Sequence, residues 1–201
     1  MVVIKYSKLG LGAFIGEEEM LDCWKRVANR AGIKFCEGDF DLKLFYPASL
    51  GVESDKEYLI VNTALDEVRV KSKINELFPD WIKIIDAYNL DDLNDLMQHS
   101  TRDVLIISFN RLKENEEGIT RAFQEQKDAK NIIDFRIENG KVKVAIRSIL
   151  SNTMCDIIAQ ILTSVNLPLD YSIVRQKLLL ETSEKLMEVD EFLQENEKET
   201  Y

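Results

Sequence analysis

The amino-acid sequence predicts an α+β protein built from two βαββαβ units in series, closed by a C-terminal helix. Three observations carry this. Strand-type and helix-type periodicities follow one another in the same order twice along the chain. A polar stretch, NLDDLNDLMQHSTRD (89–103), separates the two runs. In the second run Asn139-Gly140, the strongest short hairpin signal, joins two strand-like segments.

In the first run, residues 2–8 (VVIKYSK) read as a strand with Val2, Ile4 and Tyr6 on one face. Residues 16–31 read as a helix. Met20, Leu21, Trp24, Val27, Ala28 and Ala31 recur at helical spacing, Glu17 to Glu19 suit its N-terminus, and Gly32 stops it. Phe40, Leu42, Leu44 and Tyr46 alternate along a strand at 40–46. The connection that follows, 47–57 within PASLGVESDKEYLIV, has eleven residues, whereas most hairpin loops have about 2–5. A strand at 58–63, a short helix marked by Val70, Ile74 and Leu77 that ends near Pro79, and a strand at 81–87 complete the run.

The second run opens with an apolar strand at 104–109 (VLIISF) and a helix at 116–127 carrying Ile119, Ala122 and Phe123. Strands at 132–138 and 141–147 flank the Asn139-Gly140 turn. A helix at 152–165 puts Met154, Ile158, Ile161 and Val165 on one face, a last strand spans 171–180, and a C-terminal helix runs from about 184 to Gln194 before a frayed end, ENEKETY. The predicted fold is therefore two tandem ferredoxin-like units with antiparallel sheets. They occupy 1–88 and 104–181, are joined by 89–103, and are followed by 182–201. VVIKY, YLIVN and VLIIS suit central strands, while Asp41, Lys43, Lys83 and Asp134 suit protected edges. Both helices of each unit should cover one sheet face, which leaves the other to solvent, a partner or the sibling unit.

Composition bounds the function. The chain has 201 residues, 45% hydrophobic and 31% charged, enough for a real core and too varied for low complexity. No apolar run approaches the roughly 18 residues of a membrane span, and the N-terminus does not read as a signal peptide, so a cytoplasmic protein is expected. A formal net charge of −10 excludes a generic nucleic-acid binder but not a local basic patch. Cys23, Cys36 and Cys155 are too few and too scattered for a disulfide framework or a zinc site. His99, the only histidine, lies in the polar connection and reads as a solvated loop residue. No phosphate loop, dinucleotide glycine pattern, zinc-protease pair or GxSxG elbow is present, and no cofactor or metal is implied. The turn KLGLGAFIGEEE (8–19) reads as helix capping rather than an anion site. The pairs Asp39/Asp41, Glu53/Asp55 and Asp91/Asp92 read as solvated surface.

One constellation stands out in the second unit. Lys141, Lys143 and Arg147 share a strand face, Arg136 can join them from the neighbouring strand, and Arg175 and Lys177 from the last. On an open sheet face these six are candidate RNA or anion contacts. Aromatic residues for base stacking are missing from that strand face.

The order of motifs resembles the radical SAM-linked domain family of unknown function, DUF2344. The resemblance rests on Ser7, Lys8 and Gly10 at the end of the first strand, Arg30-Ala31-Gly32 at the end of the first helix, Glu37-Gly38, and Leu50-Gly51-Val52-Glu53-Ser54 before a strand. The Gly140 hairpin and Arg175, Leu178, Leu179 and Glu181 continue it, so that it covers about residues 2–181. It implies an accessory unit found beside or fused to radical SAM proteins, sometimes with RNase E/G-type sequences. A diverged, stand-alone member is expected, and two departures carry the divergence. Ile15-Gly16-Glu17-Glu18-Glu19-Met20 replaces a polar S-H-L-D-L-like segment, and Gly38-Asp39-Phe40-Asp41-Leu42-Lys43 replaces G-F-N-P-H-P-K. The chain also lacks the cysteine triplet of a radical SAM iron–sulfur site.

The resulting expectation is a non-catalytic accessory protein that docks a partner such as a radical SAM enzyme and contacts RNA through the second unit. The alternatives are an RNA-processing or RNA-modifying enzyme on tandem ferredoxin-like domains, and a small-molecule sensor binding between them. The 47–57 connection should be ordered, with Gly51 supplying a conformation a side chain would forbid. Leu50 or Val52 should tuck inward, and Glu53 should face a partner or cap a backbone group.

Overall fold

A computed structural model describes residues 1–74, 77–109, 112, 115–148, 154–166, 170–183 and 185–199. The elements are β1 (Val2–Lys8), α1 (Glu17–Arg30), β2 (Leu42–Phe45), β3 (Val52–Val61), α2 (Glu67–Ile74), β4 (Ile82–Asn89), α3 (Leu93–Met97) and β5 (Ser100–Phe109). They continue with α4 (Glu116–Asp128), β6 (Asp134–Glu138), β7 (Lys141–Arg147), α5 (Met154–Ser164), β8 (Tyr171–Glu181), β9 (Leu186–Glu188) and α6 (Val189–Glu199). A 3-10 turn, Gly10–Phe14, links β1 to α1. The first residues of the predicted 152–165 helix, the end of the predicted 70–77 helix, the predicted start of the last helix at 184, and the end of the tail fall partly outside the described residues.

Among the described residues nine strands form one mixed sheet, where two antiparallel sheets are predicted. The strand orders β4-β1-β3-β2 and β8-β5-β7-β6 are each antiparallel. They meet where β3 and β8 run parallel, with Val52 opposite Ile173, Glu53 opposite Val174 and Ser54 opposite Arg175. Backbone pairing explains the join. β2 reaches only Tyr58–Val61 of β3, and β9 reaches only Leu179–Glu181 of β8. Each long strand thus has an open edge near its start, and the two edges satisfy one another.

The described residues of the sheet and helices gather in three cores. Val2, Ile4 and Tyr6 of β1 pack with Met20, Trp24 and Val27 of α1 and with Val70 and Ile74 of α2. Leu105, Ile107, Val142 and Val144 pack under Ile119 and Phe123 of α4 and Ile158 and Ile161 of α5. The third core gathers Val3, Tyr58, Ile60 and Tyr88 with Leu96 of α3, Leu178 and Leu180 of β8, and Leu193 of α6. The face of the first four strands that could have stayed open is therefore covered, which is why β1 is buried along its whole length. No helix among the described residues is long and apolar enough to cross a membrane.

β5 starts at Ser100, four residues before its apolar run, and the connection shrinks to 90–99 with α3 inside it. β3 starts at Val52 rather than at Tyr58, so the link from β2 has six residues rather than eleven.

Candidate functional site

The segments that end β1 and precede β3 are stitched together by backbone geometry. Gly10 adopts φ +54° and its N–H donates to Oε1 of Glu53 at 2.9 Å. Gly51 adopts φ +82° and its N–H donates to the carbonyl of Ala13 at 2.7 Å. Both conformations favour glycine. The stitched turns hold large apolar side chains out in solvent: Leu9, Leu11 at 78% exposure, Phe14 at 70% and Leu50 at 59%. These are four of the seven exposed large apolar side chains among the described residues, so they are a concentration rather than scatter. They form a knuckle on which a Cβ at Gly51 would lie 3.9 Å from the Phe14 ring.

Beneath the knuckle sits a buried ionic cluster. Lys8, 3% exposed, donates from Nζ to the carbonyl of Ala48 at 2.8 Å. Oε2 of Glu57 accepts the Ala48 N–H at 3.0 Å, and Oε1 accepts Nη1 of Arg175 at 3.1 Å. Arg175 is fully buried; its Nη2 donates to the Tyr46 carbonyl at 2.8 Å. Its Nε lies 3.0 Å from Oδ1 of Asp103, a close but poorly aligned contact that acts through charge. Segment 46–48 has no strand partner for these groups, and three long side chains supply one. Burial pushes the Asp103 carboxyl up to about 6, against the pull of the Arg175 guanidinium. Burial also lowers the Lys8 ammonium below its ordinary value, while Glu57 favours its charge.

A cavity of about 190 Å³ opens between α1 and loop 47–50. Tyr6, Lys8, Met20, Leu44, Leu50 and Glu57 contribute to its lining.

Two of the motifs that carry the resemblance, the end of the first strand and Leu50–Ser54, converge here. Lys8, Gly10, Gly51 and Glu53 build the stitched turns, and Glu53 caps a backbone group. Ser54 is fully buried at the parallel join, where its Oγ accepts the Lys56 N–H at 3.0 Å. Ser7 points elsewhere, donating to the Lys83 carbonyl at 3.4 Å. Val52 turns inward and Leu50 outward.

The six basic residues do not form one set. Arg175 is a correction: it lies on the helix-covered face, fully buried between Glu57 and Asp103, and is closed to any RNA. A register shift between Val104 and Leu105 of β5, opposite Lys177 and Arg175 of β8, separates Arg175 from its neighbour. Lys177 bridges to Glu188 at 2.5 Å, and Arg136 to Glu138 at 3.0 Å. Lys141, Lys143 and Arg147 share one face of β7 and have no ion pair within 4 Å among the described residues. His99 packs edge-on against Phe192, with ring centroids 5.3 Å apart. The three cysteines are free, and no group of metal-ligating side chains occurs among the described residues.

Glu57 and Asp103 escape sequence reading because they sit in polar runs that look like connections. The available signal is position: Glu57 precedes YLIV, Asp103 precedes VLIISF, and Lys8 ends VVIKYSK, so each charge stands at the end of an apolar strand.

A family described as an uncharacterised protein conserved in bacteria (DUF2344) matches residues 2–188. No curated protein matches the chain.

Proposed function

The chain belongs to that uncharacterised bacterial family, and we propose that it serves there as a non-catalytic accessory protein that docks a partner protein through the Leu9–Phe14 and Leu50 knuckle. One observation carries this reading: large apolar side chains stand exposed on turns locked by the Gly10–Glu53 and Gly51–Ala13 hydrogen bonds. A locked apolar surface loses little conformational entropy on binding. The motif resemblance supplies the partner class, a radical SAM enzyme in the cytoplasm. The reading takes 1–88 and 104–181 as two ferredoxin-like units, supported by the strand orders β4-β1-β3-β2 and β8-β5-β7-β6.

The test is affinity purification of the tagged chain from its native cytoplasm, with nuclease treatment, beside a Leu11→Ser/Phe14→Ser variant. The expected result is a nuclease-resistant partner that carries the three-cysteine iron–sulfur motif and is lost with the variant. A partner retained by the variant, or released by nuclease alone, overturns the reading.

RNA contact belongs to the proposal through Lys141, Lys143 and Arg147, which share one strand face. Three phosphate contacts give a slope of roughly −2 in log affinity against log salt on single strands. A binding titration across salt concentrations measures it, and no binding at low salt removes RNA from the proposal.

A further inference from the structure

The cavity lies beside the knuckle and shares Leu50 with it. Its volume of about 190 Å³ gives room for a small metabolite. Met20, Leu44 and Leu50 are among its apolar lining residues. Its polar groups are of opposite sign. Lys8 uses one donor on the Ala48 carbonyl, and an ammonium has three. Glu57 also lines the cavity, but its two oxygens are engaged by the Ala48 N–H and Arg175. Glu17 stands exposed in the first turn of α1, lines the same cavity, and is near enough to Lys8 to favour its charged form.

Charge decides the ligand class. A plain anion would approach a chain of net charge −10 past Glu17, Glu18 and Glu19, against the field. A plain cation would meet the buried Lys8 ammonium. A molecule carrying both charges close together satisfies both groups. We propose that this cavity binds a small zwitterion of the α-amino acid class with a compact aliphatic side chain. Its carboxylate meets Nζ of Lys8, its ammonium meets Glu17, and its side chain lies against Met20 and Leu44. This inference does not rest on the docking role. Leu11 and Phe14 lie outside the cavity lining, so the Leu11→Ser/Phe14→Ser protein keeps the ligand whether or not it keeps a partner.

The test is calorimetry and thermal denaturation of the full chain with L-leucine, 4-methylpentanoate, which lacks the amine, and 3-methylbutylamine, which lacks the carboxylate. L-leucine is expected to bind one saturable site and to raise the Tm by about 5 °C at about a hundredfold excess over its Kd. Each single-charge analogue is expected to bind at least about tenfold more weakly. Glu17→Gln, at an exposed position that leaves folding intact, is expected to weaken L-leucine about tenfold without weakening 4-methylpentanoate. Lys8→Met is expected to weaken both. The proposal is overturned if L-leucine, L-valine and L-alanine all fail to bind at about 10 mM, if 4-methylpentanoate binds as tightly as L-leucine, or if Glu17→Gln binds L-leucine as the parent does.

Discussion

Two ionic clusters among the described residues tie β1 and β3 to later elements of the chain, one sealed and one partly open to water. Around Arg175, the charged partners Glu57 and Asp103 are sealed from solvent. Around Asp190, Lys5 and Lys56 converge on one carboxylate, Tyr58 Oη donates to it at 2.8 Å, and water still reaches the edge. Glu188 extends this second group through Lys56 at 3.3 Å and Lys177 at 2.5 Å. The sealed cluster is stable only as a complete set, because losing one member strands a charge in a low-dielectric interior. The edge cluster loses members one at a time, since a stranded charge there can turn to water.

The sharpest way to break the comparison is Arg175→Met. It keeps the bulk but leaves Glu57 and Asp103 buried without their cation, and urea unfolding should show a loss of about 3–5 kcal/mol. Adding Glu57→Gln and Asp103→Asn should recover part of that loss, which no surface salt bridge would do. Asp190→Asn should cost less, about 1–2 kcal/mol in the same measurement, because water replaces what Lys5 and Lys56 lose.

Acid should separate the clusters by sign. Asp103 titrates at about 6 in the fold, against about 3.9 in an unfolded chain. The fold binds this proton more tightly, so the Asp103 contribution rises as pH falls from 7 through 6 toward 4. Glu188 runs the other way. Burial pushes it up, but Lys177 and Lys56 outweigh that and hold it below its ordinary value. Its contribution is therefore present above the unfolded pKa and is lost as pH falls through the lower, folded one. Between pH 7 and 5, Asp103→Asn should lack a gain on the order of 1 kcal/mol that the parent shows. The smallest effect is expected at the knuckle, where Leu11→Ser/Phe14→Ser should change unfolding free energy by about 0.5 kcal/mol or less. A larger change would mean that the knuckle is part of the fold rather than a surface for something else.

Much of the architecture is written locally, and the site is not. Met20, Trp24 and Val27 mark α1 because a helix face repeats within a few residues, and Asn139-Gly140 marks a turn for the same reason, with φ +52° and +72°. Val52–Ser54 and Arg175 are different. Glu53, Asp55, Lys56 and Glu57 read as loop because their polarity is visible in sequence, whereas β8, which pairs with the start of β3, is about 120 residues away. Arg175 reads as a surface cation for the same reason: both carboxylates that bury it are remote in sequence. The knuckle is half legible. Gly51 and Glu53 signal an ordered loop, but which of Leu50 and Val52 faces inward depends on the register of β3, fixed by β1 and β8.

The three-residue parallel join also sets a clock. During synthesis β3 is complete about 110 residues before Ile173 and Arg175 of β8 emerge. At about 5–20 residues per second that is roughly 6–22 s with the start of its edge unpaired. A bare strand edge is a template for other chains. The acidic and basic residues that disguise this strand as a loop therefore guard it, discouraging a stray pairing until the correct one arrives.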